Sequence, residues 1–136
     1  MPTITVELTQ VSPSTTRAVA RGHEVLIDRP VAKEGADAGM MGGELLLAAL
    51  GGCFLSNLLA AIRGRALDLR NVRATIVGEL VDAPSRYSAI DVQVRADGRD
   101  LAELPKLVLI SERACIVANT LRGGVSLTIR AIGSDQ

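Results

Sequence analysis

The sequence predicts an α+β fold with mostly antiparallel sheet, on three observations. Short alternating apolar stretches lie near both ends and in the middle of the chain, one long uncharged apolar run separates the first from the second, and another helical stretch follows the central strands. Strands, helix, strands, helix and strand in that order belong to α+β architectures, not to a regularly alternating parallel sheet. At 136 residues, 48% of them apolar, residues 1–136 are expected to form a single domain whose core needs no staples.

Thr3 to Gln10 places Ile4, Val6 and Leu8 on one face, the period of a half-buried strand. Ser12, Pro13 and Ser14 then mark a turn. Arg17 to Asp28 is a second extended stretch, clearest at Val25, Leu26 and Ile27, and Arg29-Pro30 closes it because a residue before proline avoids the helical region. Val31 to Gly43, made largely of Gly, Ala, Asp and Lys and ending in Met40, Met41, Gly42 and Gly43, is expected to be a mobile loop without a regular element. Glu44 to Arg63 reads as a long helix with its acid at the N-terminal end and Arg63 and Arg65 at the other, as the macrodipole favours. Gly64 stops it.

Leu45 to Ile62 carries no charge and reaches the length of a membrane span. Gly51, Gly52, Ser56 and Asn57 interrupt it, and the rest of the chain is amphipathic, so a helix buried on all sides of a soluble protein is expected, with no membrane partner. After it, Val72, Ala74, Ile76 and Leu80 alternate with polar residues, Ala83-Pro84-Ser85 turns, and Ile90, Val92, Val94 and Ala96 return as a hairpin. A second helical stretch runs from Leu101 to about Leu121 with Pro105 near its start. Gly123 and Gly124 end it, and Val125, Leu127, Ile129 and Ala131 form a last strand. One small sheet covers only one side of an all-apolar helix, so a homodimer is expected to supply the rest. The mean hydropathy of +0.29 points the same way.

Composition also excludes. Lys plus Arg and Asp plus Glu balance at 15 each, leaving no basic footprint for nucleic acid. Phe54 and Tyr87 are the only aromatic residues, too few for stacking bases. The N-terminus lacks the basic and apolar regions of a secretory signal, so the cytoplasm is expected, where a disulfide between Cys53 and Cys115 would be transient. His23 and two separated cysteines lack zinc-site spacing, and neither a phosphate loop nor a dinucleotide fingerprint is present. No metal, nucleotide or flavin cofactor is expected.

Taken alone, each cysteine is most simply a small core hydrophobe. Cys53 follows Gly51 and Gly52, where absent side chains let a backbone or substrate approach. Together, Glu44-Leu45-Leu46-Leu47-Ala48-Ala49-Leu50-Gly51-Gly52-Cys53-Phe54 resembles the first-cysteine helix of the OsmC/Ohr family, and Ser111-Glu112 through Cys115 to Asn119-Thr120-Leu121 resembles its second-cysteine motif. The Gly22 to Asp28 stretch and the strand order also fit, so the resemblance covers nearly the whole chain.

The resemblance implies an OsmC-like intertwined homodimer with two central helices between two sheets, and a cytoplasmic thiol-dependent peroxidase reducing organic hydroperoxides. Cys53 would be the peroxidatic thiolate and Cys115 the resolving thiol, reset by a dithiol reductant such as a lipoyl group. The alternative is an OsmC-like redox-responsive or small-molecule-binding dimer without efficient turnover. A mid-helix cysteine in apolar surroundings needs a cation to ionise, and the resemblance points to an arginine from the N-terminal strands, Arg17 or Arg21. The family's acid falls where this chain has Gly43, leaving neighbouring Glu44 as the candidate, although a helical Glu44 would stand roughly 13 Å along the axis from Cys53. Met40, Met41 and Phe54 are candidates for lining an alkyl-substrate pocket. Ile116 follows Cys115 where the family commonly has proline.

Overall fold

The computed structural model describes residues 1–134 and contains two compact units, one of Met1–Ala49 and one from Leu50 onward. The fold is α+β, with antiparallel strands and helices as the patterning requires.

In the first unit, β1 (Glu7–Gln10), β2 (Thr16–Ala20) and β3 (His23–Ile27) form an antiparallel meander. The single extended stretch expected from Arg17 to Asp28 is a hairpin. Arg21 and Gly22 turn it with φ of 52° and 82°, the two left-handed positions that suit a two-residue connection between twisted strands. β1 begins at Glu7, later than the alternation suggested.

The segment after β3 is more ordered than its composition implies. Buried Asp28 accepts hydrogen bonds from Thr15 Oγ1 (2.8 Å) and from the N–H groups of Arg29 (2.7 Å), Ala36 (3.2 Å) and Ala38 (3.1 Å). An ionised carboxylate only accepts, so it gathers loop donors that would otherwise need water. A short 3-10 turn, Val31–Lys33, lies within the segment expected to hold no regular element. Gly39 fits because a Cβ there would come within 2.1 Å of the Leu26 carbonyl oxygen. Burial pushes the Asp28 carboxyl up, but bonds from Thr15 and the Ala38 and Arg29 amides prevail and hold it at about 2.

Helix α1 spans Gly42–Gly64. In the second unit β4 (Arg70–Val81) and β5 (Arg86–Asp97) pair antiparallel, as the alternation predicts. Leu50, Phe54, Leu58 and Ile62, four residues apart on one face of α1, share the core with Val72, Ile76, Ile90, Val92 and Val94 of the hairpin. Gly51 permits this packing, since a Cβ would lie 2.6 Å from Ile76 Cδ1. The other face, with Gly52, Ser56, Leu59 and Ala60, is exposed. The expectation of burial on all sides therefore fails for the single chain, for the physical reason that one sheet covers one face. α1 is long and apolar enough to cross a membrane by length and composition, and 28% of its most apolar window is buried.

Asp68 and Asp100 knot the hairpin's open end. The Asp68 N–H donates to Asp100 Oδ2 (2.7 Å), and the Arg99 N–H donates to Asp68 Oδ2 (2.8 Å). The second helical stretch is not continuous: a 3-10 turn at Leu101–Glu103 leads into α2 (Leu104–Arg113), and after Ala114 and Cys115 the chain restarts as α3 (Ile116–Gly123). The final strand does not form among the described residues. Val125, Leu127 and Ile129 are 73%, 76% and 90% exposed, because an alternating segment becomes a strand only when a neighbour pairs its backbone.

Candidate functional site

The break between α2 and α3 builds the site. Cys115 is the N-cap of α3, extended at φ −78° and ψ 114°, and its sulfur accepts the Ala118 N–H at 3.5 Å. The Asn119 N–H returns to the Cys115 carbonyl at 3.0 Å as the first intrahelical bond. Two contacts brace the corner: Asn119 Nδ2 donates to the Arg113 carbonyl at 3.1 Å, and Arg122 of α3 pairs with Glu112 of α2.

Cys53, partly exposed on α1, meets this corner. It packs in the same core cluster as Cys115, Val117 and Ala118, with the Val117 and Ile116 N–H groups and the Cys115 thiol near enough to its sulfur to favour its charge. Of the first-turn amides of α3, that of Ala118 ends on the Cys115 sulfur. A helix start needs such acceptors, and here sulfur supplies them.

The thiols are driven apart in acidity. The Val117 N–H outweighs burial and, with the Cys115 thiol and the Ile116 N–H, holds Cys53 below the usual thiol range. Burial pushes Cys115 up, only partly offset by the Ala118 N–H, and the Cys53 charge pushes it further. The surroundings thus favour charge on Cys53 and disfavour it on Cys115. The side-chain cation expected beside Cys53 is not among the groups that shift its acidity, which are backbone amides and the Cys115 thiol. No side-chain pattern announces backbone donors, and cysteine is not a customary N-cap, so the break at Cys115 carried no clear signal.

A cleft of about 620 Å³, lined by neither cysteine, opens among α1, β5, α2 and α3. Leu50, Phe54, Ile90, Val92 and Val108 give it an apolar lining, with Glu112 and Arg122 among its polar groups. Phe54 follows Cys53 in the chain, and Ala118, whose amide caps Cys115, also lines the cleft. Ser111, 1% exposed, has a hydroxyl oxygen without a hydrogen-bond partner among the described residues.

The other predicted site residues lie in the first unit. Arg17 on β2 pairs with Glu24 on β3 at 3.7 Å, and Arg21 occupies the turn between those strands. Glu44, in the first turn of α1, accepts the Met41 N–H at 2.8 Å, the back-bond of a helix-start acid. Met40 is exposed and its carbonyl accepts the Asp28 N–H at 3.1 Å. Met41 lines a separate cavity of about 430 Å³ with Thr16, Asp28, Arg29 and Lys33. Among the described residues, no three His, Cys, Asp or Glu side chains gather as metal ligands.

A family model described as OsmC-like protein matches residues 35–130. No match is found among curated proteins. Similar solved structures include an OsmC-like protein from Mycoplasma pneumoniae, at 16% identity and a TM-score of 0.77 over 90% of this chain and 89% of that one. Another is a putative osmotic stress induced and detoxification response protein from Psychrobacter arcticus 273-4, at 20% identity and a TM-score of 0.76 over 88% and 89%. A third, from Legionella pneumophila, is named as an organic hydroperoxide resistance protein OsmC and predicted redox protein, at 18% identity and a TM-score of 0.62 over 90% and 93%.

Proposed function

We propose that this chain, which belongs to the OsmC-like protein family, is a thiol-dependent peroxidase that reduces organic hydroperoxides through Cys53 and Cys115. The observation that carries this reading is two thiols in one core cluster, one made easier and the other harder to ionise. The name of the Legionella pneumophila relative supports the substrate class, and the apolar cleft beside Phe54 suits an alkyl group.

The Cys53 thiolate attacks the terminal peroxide oxygen, the O–O bond breaks, and the alkoxide takes a proton and leaves as alcohol. Cys53 is then a sulfenic acid. The Cys115 thiol condenses with it, the S–O bond breaks, water leaves and a disulfide forms. A dithiol of the lipoyl type reduces that disulfide by exchange and becomes a disulfide itself.

The working unit is one OsmC-like domain paired as a homodimer in the cytoplasm, where a reducing poise keeps the thiols available. The exposed apolar face of α1 and the unpaired 125–131 segment support pairing with a second copy. In that reading Arg17 or Arg21 and Glu44 serve the peroxide, and Met40 and Met41 join Phe54 around the alkyl group. A second reading, a redox-responsive or small-molecule-binding dimer without efficient turnover, is favoured by the local partners that Arg17 and Glu44 already have.

Turnover decides between them. Dihydrolipoamide-dependent consumption of cumene hydroperoxide, by a species sedimenting at twice the 14.3 kDa chain mass, is the expected result. Oxidation that stops after one equivalent despite excess dithiol would favour the second reading, and a monomer would contradict the dimer.

A further inference from the structure

We propose that the hydroxyl of Ser111 is a hydrogen-bond donor reserved for the sulfur of Cys115, to which it turns when that sulfur carries negative charge. The inference rests on the reading of Cys53 and Cys115 as a redox pair and deepens it by assigning the group that assists Cys115.

Leu107, Ser111 and Cys115 follow one another at four-residue intervals along the buried face of α2, at 1%, 1% and 0% exposed. Ala114 ends α2 with helical backbone, φ −92° and ψ −4°, and the Cys115 N–H donates to the Glu112 carbonyl at 3.2 Å. Cys115 is therefore still on the helical path, one turn beyond Ser111, where side chains four apart have Cβ atoms about 5–6 Å from each other. The chain leaves that path only after the Cys115 Cα, at ψ 114°.

A serine inside a helix commonly bonds to the carbonyl four residues back. Ser111 does not, and its Oγ has no hydrogen-bond partner among the described residues. A buried hydroxyl without a partner costs stability that alanine would not. Apart from Cys115, the buried members of the core cluster present only hydrocarbon. The Cys115 sulfur already accepts the Ala118 N–H at 3.5 Å, and as a neutral thiol it is a weak acceptor that offers a second donor little. As a thiolate it is a strong one.

Reduction of the disulfide puts charge there. Cys53 is partly exposed and Cys115 buried, so an incoming dithiol meets Cys53 first. Its thiolate attacks the Cys53 sulfur, the S–S bond breaks, and the electron pair goes to Cys115, which leaves as a thiolate and then takes a proton from solvent. Such an exchange is faster when the leaving sulfur holds charge well, and burial makes Cys115 hold it badly. Ser111 keeps its own proton and supplies a hydrogen bond at the step where burial opposes the charge.

Ser111→Ala tests the assignment. Diamide, which takes up the two thiol hydrogens, joins Cys53 to Cys115 in the native chain and in the variant, and dithiothreitol then reduces both. The expected result is reduction about tenfold slower with alanine, the effect of one hydrogen bond to a charged sulfur. The reduced variant should melt no lower than the native chain, because alanine removes an unpaired hydroxyl and favours the helix. Equal reduction rates would overturn the proposal, and so would a lower Tm of reduced Ser111→Ala, the sign of a structural partner such as a buried water. No peroxide enters either measurement. Slow reduction in the variant alongside no peroxide consumption by the native chain would remove the peroxidase reading and leave this one intact, whereas a native chain in which diamide forms no disulfide would remove both.

Discussion

Cys53→Ser is expected to lower cumene hydroperoxide consumption by at least about a thousandfold, because a serine hydroxyl at the same place does not ionise under conditions where the thiolate does. The loss follows from the division of labour between the sulfurs. The nearby Val117 and Ile116 amides favour charge on Cys53, whereas burial disfavours it on Cys115. Cys115→Ser should then behave differently: it should release one equivalent of cumyl alcohol and halt at a sulfenic acid on Cys53. Chromatography of the alcohol separates these outcomes. Turnover retained in Cys53→Ser, or a missing first equivalent in Cys115→Ser, would contradict the assigned order.

Asp28→Ala is expected to cause the larger loss of stability, lowering the Tm by roughly 5–10 °C in a thermal scan. The carboxylate joins Thr15, Arg29, Ala36 and Ala38, so its removal leaves several donors of a folded loop without an acceptor. The pH dependence has a definite sign. The folded carboxyl is held at about 2 against an ordinary 3.8, so its contribution is complete above the ordinary value and is lost as pH falls through about 2. Asp28→Asn, which cannot titrate, should lack that share of the decline. Urea titrations between about pH 5 and 2 compare the two, and parallel curves would show that Asp28 does not carry the effect.

The hairpin of β4 and β5 and the body of α1 were legible because one face of each is buried and the sequence must alternate at the matching period. Three features were not. The turn at Arg21 and Gly22 needs left-handed backbone at two successive residues, and only Gly22 advertises it. Order in the 31–43 segment comes from Asp28, whose partners are mostly backbone amides without a sequence signature. The break at Cys115 lies in a stretch with good helical periodicity and no nearby Gly or Pro, so local propensity favoured one continuous helix.

The same division runs through the site. The two motifs single out the sulfurs, and Cys53 packs against the core cluster that holds Cys115. Side chains that could activate Cys53 are visible in the sequence as Arg17 and Arg21. The neighbours that favour charge on Cys53 are the Val117 and Ile116 amides and the Cys115 thiol, and the position of those amides depends on the helix break that periodicity did not disclose. The last strand illustrates a related limit: Val125, Leu127 and Ile129 have strand alternation, but pairing is a property of a neighbour.

The most direct measurement is the intact mass of the reduced chain after one equivalent of cumene hydroperoxide. A mass lower by two hydrogens, with Cys53 and Cys115 joined in one peptide pair after digestion, is the predicted result. A stable gain of one oxygen on Cys53, with Cys115 still free to alkylate once unfolded, would contradict the claim that these two sulfurs form a single redox unit.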